Sequence, residues 1–249
     1  MNRNQPLLSR YELKYWLSPQ TLPKLRRHVQ PYCRPDSHSS GRPGNRYLVG
    51  SLYLDNRDFD LYQATVDGHS NRFKLRVRSY DDNPDSPVFF EVKKRVNKVV
   101  LKRRAEVPRS VAEKFLTGQS VPSVDPAFEE FAEACRSMGA GPTLRVRYER
   151  EAYESRANDS VRITIDFNVM HAITDGPDLS LNGPGWMQTP NEGAILEIKF
   201  DGTPPAWVTE MVRTLDLKRT SVAKYVRSLD RAFAARGKAP WSSPMGEQS

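Results

Sequence analysis

Lysines and arginines recur at every second position along several short segments whose other positions are mostly apolar. The clearest segments read KLRVR at 74–78, EVK at 91–93, KRRAE at 102–106, RITID at 162–166 and EIK at 197–199. Side chains of a β-strand point alternately to its two faces, so each segment would carry one cationic face. Such groups bind phosphate oxygens, arginine through bidentate forks and lysine as a point charge. Alternation selects as phosphate-binding candidates Lys14, Lys74, Arg76, Arg78, Lys93, Lys102, Arg104 and Arg162.

A few acidic residues share these predicted faces, namely Glu12, Glu91, Glu106, Asp166 and Glu197. Each could hold neighbouring cations in place by ion pairing. Alternatively, one or two of them could bind Mg²⁺ or Mn²⁺ through oxygen ligands, with the ion bridging phosphates. We favour Glu197 as the metal ligand because it stands in an otherwise apolar strand, AILEIKF.

Several common catalytic motifs are missing from the sequence. It contains no GxxxxGK[ST] loop, no GxGxxG after a predicted strand, and no clustering of its four histidines. No Ser/His/Asp arrangement is readable either. These absences argue against a P-loop nucleotide site, a dehydrogenase and a zinc hydrolase. Phosphoryl transfer remains open, because it depends mainly on positioning and charge neutralisation rather than on a protein nucleophile.

Composition and charge are consistent with a folded protein that binds a polyanion. The 249 residues carry a net charge of +8, which favours nucleic acid, a nucleotide, polyphosphate or an anionic membrane surface as partner. Aromatic residues reach 10%, which indicates a packed core. Cys33 and Cys135 lack metal-type spacing and are expected to be reduced thiols. Without a signal peptide or an apolar span, we expect a soluble, cytoplasmic protein.

Strands are needed to align the candidate cations. We predict them at 10–17, 46–54, 71–80, 88–96, 99–107, 142–153, 161–171 and 193–200. Helices are predicted at 19–29, 56–66, 108–116, 126–138, 204–215 and 221–235. We expect a single α+β domain over residues 1–236, followed by a disordered tail at 237–249.

The expected architecture is a closed antiparallel β-barrel of about eight strands, with helices outside and a C-terminal helix at one mouth. The cationic faces would then line a tunnel wide enough for one slender ligand. An ordinary sheet with a solvated charged face is the alternative. The tunnel is favoured because cations dominate these faces, and neighbouring cations repel unless an anion offsets them.

Nine motifs in order resemble the VTC domain, the polyphosphate polymerase module of the vacuolar transporter chaperone complex. They are RYELKYWL, SLYLDNRDFDLY, KLRVRSY, FFEVKKR, LKRR, LRVRYER, VRITID, LEIKF and SVAKY, found between about residue 8 and residue 232. That domain belongs to the triphosphate tunnel metalloenzymes, relatives of CYTH phosphatases and adenylyl cyclases. The resemblance implies transfer of the terminal phosphate of ATP onto a growing polyphosphate chain, with Mn²⁺ or Mg²⁺.

The resemblance also implies roles for particular residues. Its tunnel cations match Lys14, Arg76, Arg78, Lys93, Lys102, Arg150, Arg162 and Lys224. Its tunnel tyrosine matches Tyr148, its metal-binding glutamate matches Glu197, and Ser221 of SVAKY is expected to bind phosphate. The resemblance alone assigns these roles to Arg150, Tyr148 and Lys224. Arg150 shares its predicted face with Leu144 and Val146, so alternation would not have chosen it over the neighbouring arginines.

Two other functions stay open on this scaffold. One is a metal-dependent triphosphatase or polyphosphatase, although the first strand offers only Glu12 and Lys14 rather than the ExExK pattern of CYTH phosphatases. The other is a non-catalytic binder of polyphosphate, phosphorylated protein or RNA. Nucleic acid is the least expected ligand, because the tyrosines mostly alternate onto core faces rather than among the cations. No transmembrane segment is expected, and a membrane or protein partner is left open.

Overall fold

Long strands that alternate apolar and polar residues dominate the fold. The computed structural model describes residues 10–97, 99–123, 125–157, 161–191 and 193–235. Its strands are β1 Arg10–Leu17, β2 Cys33–Pro35, β3 Arg46–Asp55, β4 Asn71–Ser79, β5 Val88–Val96, β6 Val99–Val107, β7 Gly141–Ser155, β8 Arg162–Ile173, β9 Met187–Gln188 and β10 Ala194–Asp201. Its helices are α1 Leu22–Val29, α2 Asp60–Val66, α3 Arg109–Leu116, α4 Pro126–Met138, α5 Ala206–Thr214 and α6 Lys224–Ala235. The predicted tail lies outside these residues.

All the strands join one antiparallel sheet. Its main path runs β1-β10-β8-β7-β3-β4-β5-β6, while β2 pairs with β7 and β9 with β8. The predicted α+β class and antiparallel pairing are therefore confirmed. The strands β2 and β9 were not predicted, because segments of three and two residues are too short to show an alternation and form only through their partners.

Backbone hydrogen bonds do not close the sheet into the expected barrel. Within the described residues no ladder joins β6 to β1. The free edge of β1 instead meets the segment before α6, where Tyr15 forms a bridge with Arg219 and the Thr220 N–H donates to the Lys14 carbonyl at 2.8 Å. A segment of the same chain occupies the edge that a closing strand would need. The prediction of a closed barrel is therefore not confirmed.

Side chains nevertheless show that the sheet is strongly curved. Lys93 on β5 and Glu12 on β1 belong to strands near opposite ends of the sheet, yet Nζ lies 3.1 Å from Oε2. Only a sheet that curls back on itself brings these two side chains together. We call the face that carries them the inner face.

Helices cover most of the outer face with apolar contacts. On β5 the ring of Phe90 packs edge to face against Phe131 of α4, with ring centroids 4.8 Å apart. Around β1, β8 and β10, the buried side chains include Leu25 of α1 and Met211 of α5. Burying side chains of this size stabilises a fold by about 1.5–3 kcal/mol each, so these layers hold the curved sheet in shape.

The helix α6 instead packs on the inner face. The ring of its Tyr225 stacks on Tyr53 of β3 with centroids 4.9 Å apart. Leu144 and Val146 of β7 belong to the same buried cluster as Leu229 of α6. One part of the inner face is therefore apolar and covered by a helix, and the remaining part is available to charged side chains.

Local sequence signals explain the two ends of α4 and the turn between β5 and β6. The Asp125 side chain accepts a hydrogen bond from the Phe128 N–H at 2.8 Å, and Pro126 follows as the first helical residue. Gly139 ends α4 with φ of 63°, a left-handed conformation that glycine adopts without strain. Asn97 has φ of 54° in the hairpin turn, which asparagine tolerates better than most residues.

Candidate functional site

Strand register places the predicted cations of β4, β5 and β6 on one face. Lys74 lies directly opposite Lys93, which lies opposite Lys102, so three lysines stand side by side across three strands. Two residues further along β4, Arg76 is aligned with Glu91 and Arg104. Side chains at such positions are about 4.5–5.5 Å apart at Cβ, close enough to share one anionic partner.

Glu91 is the buried centre of this cationic cluster, with 1% of its side chain exposed. Its Oε2 lies 2.6 Å from Nη2 of Arg76 and 3.9 Å from Nη1 of Arg78. Its Oε1 lies 2.6 Å from Nζ of Lys102 and 3.7 Å from Nε of Arg104. Burial raises the pKa of Glu91, but these cations outweigh it and lower the pKa below its usual range. The predicted ion-pairing role of this carboxylate is confirmed.

A second charged cluster joins β1, β5 and β10. Lys14 Nζ lies 3.0 Å from Glu12 and 3.6 Å from Glu197, and Lys199 Nζ lies 2.5 Å from Glu197. Burial and Glu197 raise the pKa of Glu12, but Lys14, Lys93 and Lys199 together lower it to about 2. Burial likewise opposes ionisation of Glu197, whose pKa its cationic neighbours nevertheless hold well below the usual range. Both carboxylates are therefore charged and available to a cation.

The carboxylates of this second cluster bear on the prediction that Glu197 binds a metal ion. The part of the chain that the structure describes contains no group of three or more His, Cys, Asp or Glu arranged to hold a metal ion. Glu197 and Glu12 are both near Lys14, which brings their carboxylates into one region. Mg²⁺ is commonly bound by one or two carboxylates with waters and substrate phosphates as the other ligands. These two residues fit that donor set if phosphate supplies the remaining oxygens.

A third cluster links the sheet to the start of α6. Arg150 of β7 donates from Nε and Nη2 to the two carboxylate oxygens of Asp166 on β8, at 2.7 and 2.9 Å. Lys224, the first residue of α6, lies 2.6 Å from the same carboxylate. Its Nζ also lies 4.7 Å from the ring centroid of Tyr148. Burial raises the pKa of Asp166, but Arg150 and Lys224 lower it overall.

Lys74 differs from the other lysines of the inner face because no carboxylate pairs with it among the described residues. Burial lowers its pKa first, and Lys14, Lys93, Arg72 and Arg76 lower it further, to about 7. An ammonium group at such a position gains from any anion that binds beside it. Lys74 is thus a position on the inner face where a bound anion would be stabilised.

Two predicted residues lie apart from these clusters. Arg162 is on the same face, level with Lys199, but its Nη2 pairs at 2.6 Å with Asp36, a buried residue of the loop after β2. Ser221 is exposed and precedes Val222, whose carbonyl accepts a hydrogen bond from Lys14 at 3.2 Å. The structure therefore does not bring Ser221 into a cluster with the cations.

Alternation alone could not decide which arginine of β7 faces the site, and the structure shows that it is Arg150. Leu144, Val146, Tyr148 and Arg150 all lie on the inner face, where the first two pack against α6 and the last joins the charged clusters. The outer face of β7 carries Arg145, and there Trp186 covers it with a ring centroid 4.9 Å from the guanidinium carbon. The face changes from apolar to polar along the strand, which a repeating pattern cannot reveal.

Sequence reasoning missed other residues of the inner face. Tyr53 hydrogen-bonds to Arg76, and although burial raises its pKa, Arg76 and its neighbours lower it overall. Lys199 pairs with Glu197, and Arg72 and Arg95 extend the cationic row beyond Lys74. Lys199 and Arg72 have the same two-residue spacing that selected their neighbours, so the signal was present in the sequence.

Fold and charge distribution together define a domain built on a curved antiparallel sheet with a cationic inner face. The sequence profile of the VTC domain matches residues 9–233, and the chain belongs to the VTC domain family. The resemblance inferred from the nine motifs is thereby confirmed. Within the described residues, no helix has the length and hydrophobicity that a bilayer crossing requires.

Known proteins place this family assignment in context. The chain is 24% identical over 250 residues to vacuolar transporter chaperone complex subunit 4 of Schizosaccharomyces pombe, covering 82% of this chain and 34% of that protein. It therefore spans about a third of the length of that relative. A solved structure from Bacillus halodurans, described as a candidate adenylate cyclase, has a TM-score of 0.51 at 14% identity and covers 86% of this chain and 95% of its own. That likeness shows a shared fold.

Proposed function

We propose that this domain is a polyphosphate polymerase-like phosphotransferase, which moves the terminal phosphate of ATP or another triphosphate onto a polyphosphate chain. The observation that carries the proposal is the excess of cations over carboxylates on the inner face, where Lys74 has no acidic partner among the residues that the structure describes. The cations are Lys14, Arg72, Lys74, Arg76, Arg78, Lys93, Arg95, Lys102, Arg104, Arg150, Arg162, Lys199 and Lys224, and the carboxylates are Glu12, Glu91, Glu106, Asp166 and Glu197. A chain of phosphates would supply the missing negative charge.

The arrangement suits phosphoryl transfer because that reaction needs positioning and charge neutralisation more than a protein nucleophile. Arg76 and Arg78 would bind phosphate oxygens from β4 while Lys93 binds them from β5. Glu91 would keep the arginines extended and fixed between turnovers, so that little reorganisation is needed when the substrate binds. The partly buried Arg150, held by both oxygens of Asp166, would present its three remaining N–H donors to the phosphates.

A divalent ion is part of the proposal. Glu197, with Glu12 beside it, would hold Mn²⁺ or Mg²⁺, which when bound neutralises phosphate oxygens as a Lewis acid. Both carboxylates are ionised at neutral pH, since nearby lysines lower the pKa of each below its usual value despite burial.

The closed tunnel that the family resemblance implies belongs to this proposal too. The ion pair between β1 and β5 supports it, because it brings the two ends of the sheet together.

Incubation of the pure protein with ATP and Mn²⁺, followed by sizing of the products, tests the proposed reaction. Long phosphate polymer is expected from the unaltered chain and none from Arg76→Ala/Arg78→Ala. The matched control is Arg213→Ala/Lys218→Ala, which removes the same charge from the region of α5 on the outer face and should leave polymer formation unchanged. Absence of polymer from the unaltered protein under these conditions would refute the polymerase.

The same incubation distinguishes two other functions. A triphosphatase on this scaffold would release only orthophosphate from ATP or tripolyphosphate. The proximity of Glu12 and Glu197, two carboxylates near one lysine, is the observation that favours it. A non-catalytic binder would bind polyphosphate tightly and lose affinity steeply with added salt, without turnover.

A further inference from the structure

Two arginines face each other at one end of the cationic inner face. Arg72, near the start of β4, is the direct cross-strand partner of Arg95, near the end of β5. They lie one alternation beyond the Lys74–Lys93 pair and on the same face. Like charges directly opposite each other on neighbouring strands destabilise a sheet. Their pairing therefore needs an explanation.

Neither arginine has an acidic partner among the described residues. The Arg72 Nη1 donates to the His69 carbonyl, and the Arg95 Nε donates to the Asn97 carbonyl at 2.8 Å. Backbone carbonyls orient the two guanidinium groups without neutralising them. Burial lowers the pKa of Arg72 first and Arg95 lowers it further, as expected for cations that lack a counter-charge.

The two arginines line an open pocket of about 340 Å³. The other lining residues are Gly68, Ser70 and Asn97, which are small or polar and carry no negative charge. An open pocket of this size leaves room for phosphate groups beside both guanidinium groups. Its wall offers guanidinium forks, a hydroxyl and an amide, all of which can donate to phosphate oxygens.

The pocket continues the row of cations that runs along β4. Arg72, Lys74, Arg76 and Arg78 stand on one face at spacings of about 7 Å, two residues of an extended strand. Lys74, which also has no acidic partner in the described part of the chain, separates the pocket from the Glu91 cluster. Uncompensated positive charge is therefore concentrated at this end of the row, while the carboxylates are concentrated further along it.

We propose that Arg72 and Arg95 form a distal anion-binding site that holds the phosphates of a long polyphosphate chain after those bound around Arg76 and Lys93. This inference rests on the proposed function, because it presupposes a phosphate chain on the inner face. It adds a prediction that the proposed function alone does not make. The affinity of the protein for polyphosphate should depend on the length of the polyphosphate, since tripolyphosphate is too short to occupy both the Glu91 cluster and the pocket.

The test compares binding of tripolyphosphate and of long-chain polyphosphate by isothermal titration calorimetry at fixed, near-physiological salt. Arg72→Ala/Arg95→Ala should weaken binding of the long chain about tenfold and leave tripolyphosphate binding within about twofold. The control Arg213→Ala/Lys218→Ala removes two charges elsewhere and should change neither affinity by more than about twofold. Urea unfolding should show the pocket variant to be at least as stable as the unaltered protein, because a repulsion has been removed.

Three results would overturn the inference, and they differ from one another. Unchanged affinity of the pocket variant for the long chain would refute the distal site alone. An equal loss for both ligands, or a loss matched by the control, would mean that the arginines act only through the overall charge. Failure of the unaltered protein to bind either ligand would refute the distal site together with the proposed function.

Discussion

At the scale of single residues, the site depends on a few carboxylates that keep many cations in place. Each of Glu12, Glu91, Asp166 and Glu197 contacts at least two basic side chains. Repulsion between neighbouring cations would otherwise open the curved sheet. Lys74, like Arg72 and Arg95, has no carboxylate partner within the described residues. Removing the charge of Lys74 should therefore affect stability very differently from removing the charge of Glu91.

Binding of phosphate should be coupled to proton uptake by Lys74. Its pKa of about 7 in the free protein reflects burial and surrounding cations, and a bound anion would raise it toward the ordinary lysine value. At pH 8 the free side chain is largely neutral and takes up a proton on binding, so affinity should fall as pH rises above about 7. Calorimetry in two buffers of different ionisation enthalpy measures this uptake. The Lys74→Met variant should take up fewer protons on phosphate binding than the unaltered protein, by up to one proton. Equal proton uptake by the variant and the unaltered protein would contradict the account.

Replacing Glu91 by glutamine should destabilise the fold while keeping its shape. The substitution leaves the buried Arg78 and the partly buried Arg76 without a counter-charge, and removing one partner of a buried ion pair typically costs 3–5 kcal/mol. We expect about 3 kcal/mol in the free energy of unfolding by urea, because Lys102 and Arg104 are partly solvated. Adding tripolyphosphate should restore part of the free energy of unfolding that the Glu91→Gln variant has lost.

The control for that substitution is Glu133→Gln on α4, whose pair with Arg136 is exposed. It should change the free energy of unfolding by no more than about 0.5 kcal/mol. A loss at Glu91 as small as this control would mean that the carboxylate does not hold the cluster together.

Most cations of the site could be predicted from two-residue spacing because strand geometry alone decides which face they occupy. Lys14, Lys74, Arg76, Lys93 and Lys102 were found in this way, and all lie on the inner face. Their partners were harder to predict, because pairing depends on which strands become neighbours. The ion pair between Arg162 and Asp36 joins residues 126 positions apart, and no local pattern indicates it.

At the scale of elements, β7 shows why periodicity is insufficient. Its ladder with β8 shifts register between Arg147 and Glu149, and Asn168 on β8 near this shift has φ of 49°. Such an irregularity bends a strand and alters the local twist. One face of β7 can therefore pack against α6 at its start and reach the charged clusters further along.

The segment before α6 is a structural tie to the edge of the sheet. The Thr220 N–H donates to the Lys14 carbonyl at 2.8 Å, and the same lysine donates from its side chain to the Val222 carbonyl. Thr220→Pro removes the backbone donor and should lower the free energy of unfolding by about 1 kcal/mol or more. It should also speed proteolysis of α6.

The matched control for this tie is Thr220→Ala, which keeps the backbone N–H. It should unfold at nearly the urea concentration of the unaltered protein. If alanine destabilises the fold as much as proline does, the hydroxyl rather than the backbone hydrogen bond is what matters at this position.

At the scale of the whole molecule, the curvature of the sheet brings the clusters together. Strand order and curvature result from packing between distant segments, which explains why alternation predicted the strands but not the unpaired edges. The outer helices and α6 fill both sides of the sheet with apolar contacts. The clustered cations of β1, β4, β5 and β6 then lie on the part of the inner face that α6 does not cover.

The most direct test of the central claim is a crystal structure of the protein with bound tripolyphosphate. The account predicts phosphate oxygens on the inner face, within hydrogen-bonding distance of Arg76, Lys93 and Arg150. Lys74 should also lie beside the ligand. Tripolyphosphate bound on the outer face, with the inner cations keeping only their carboxylate partners, would contradict it.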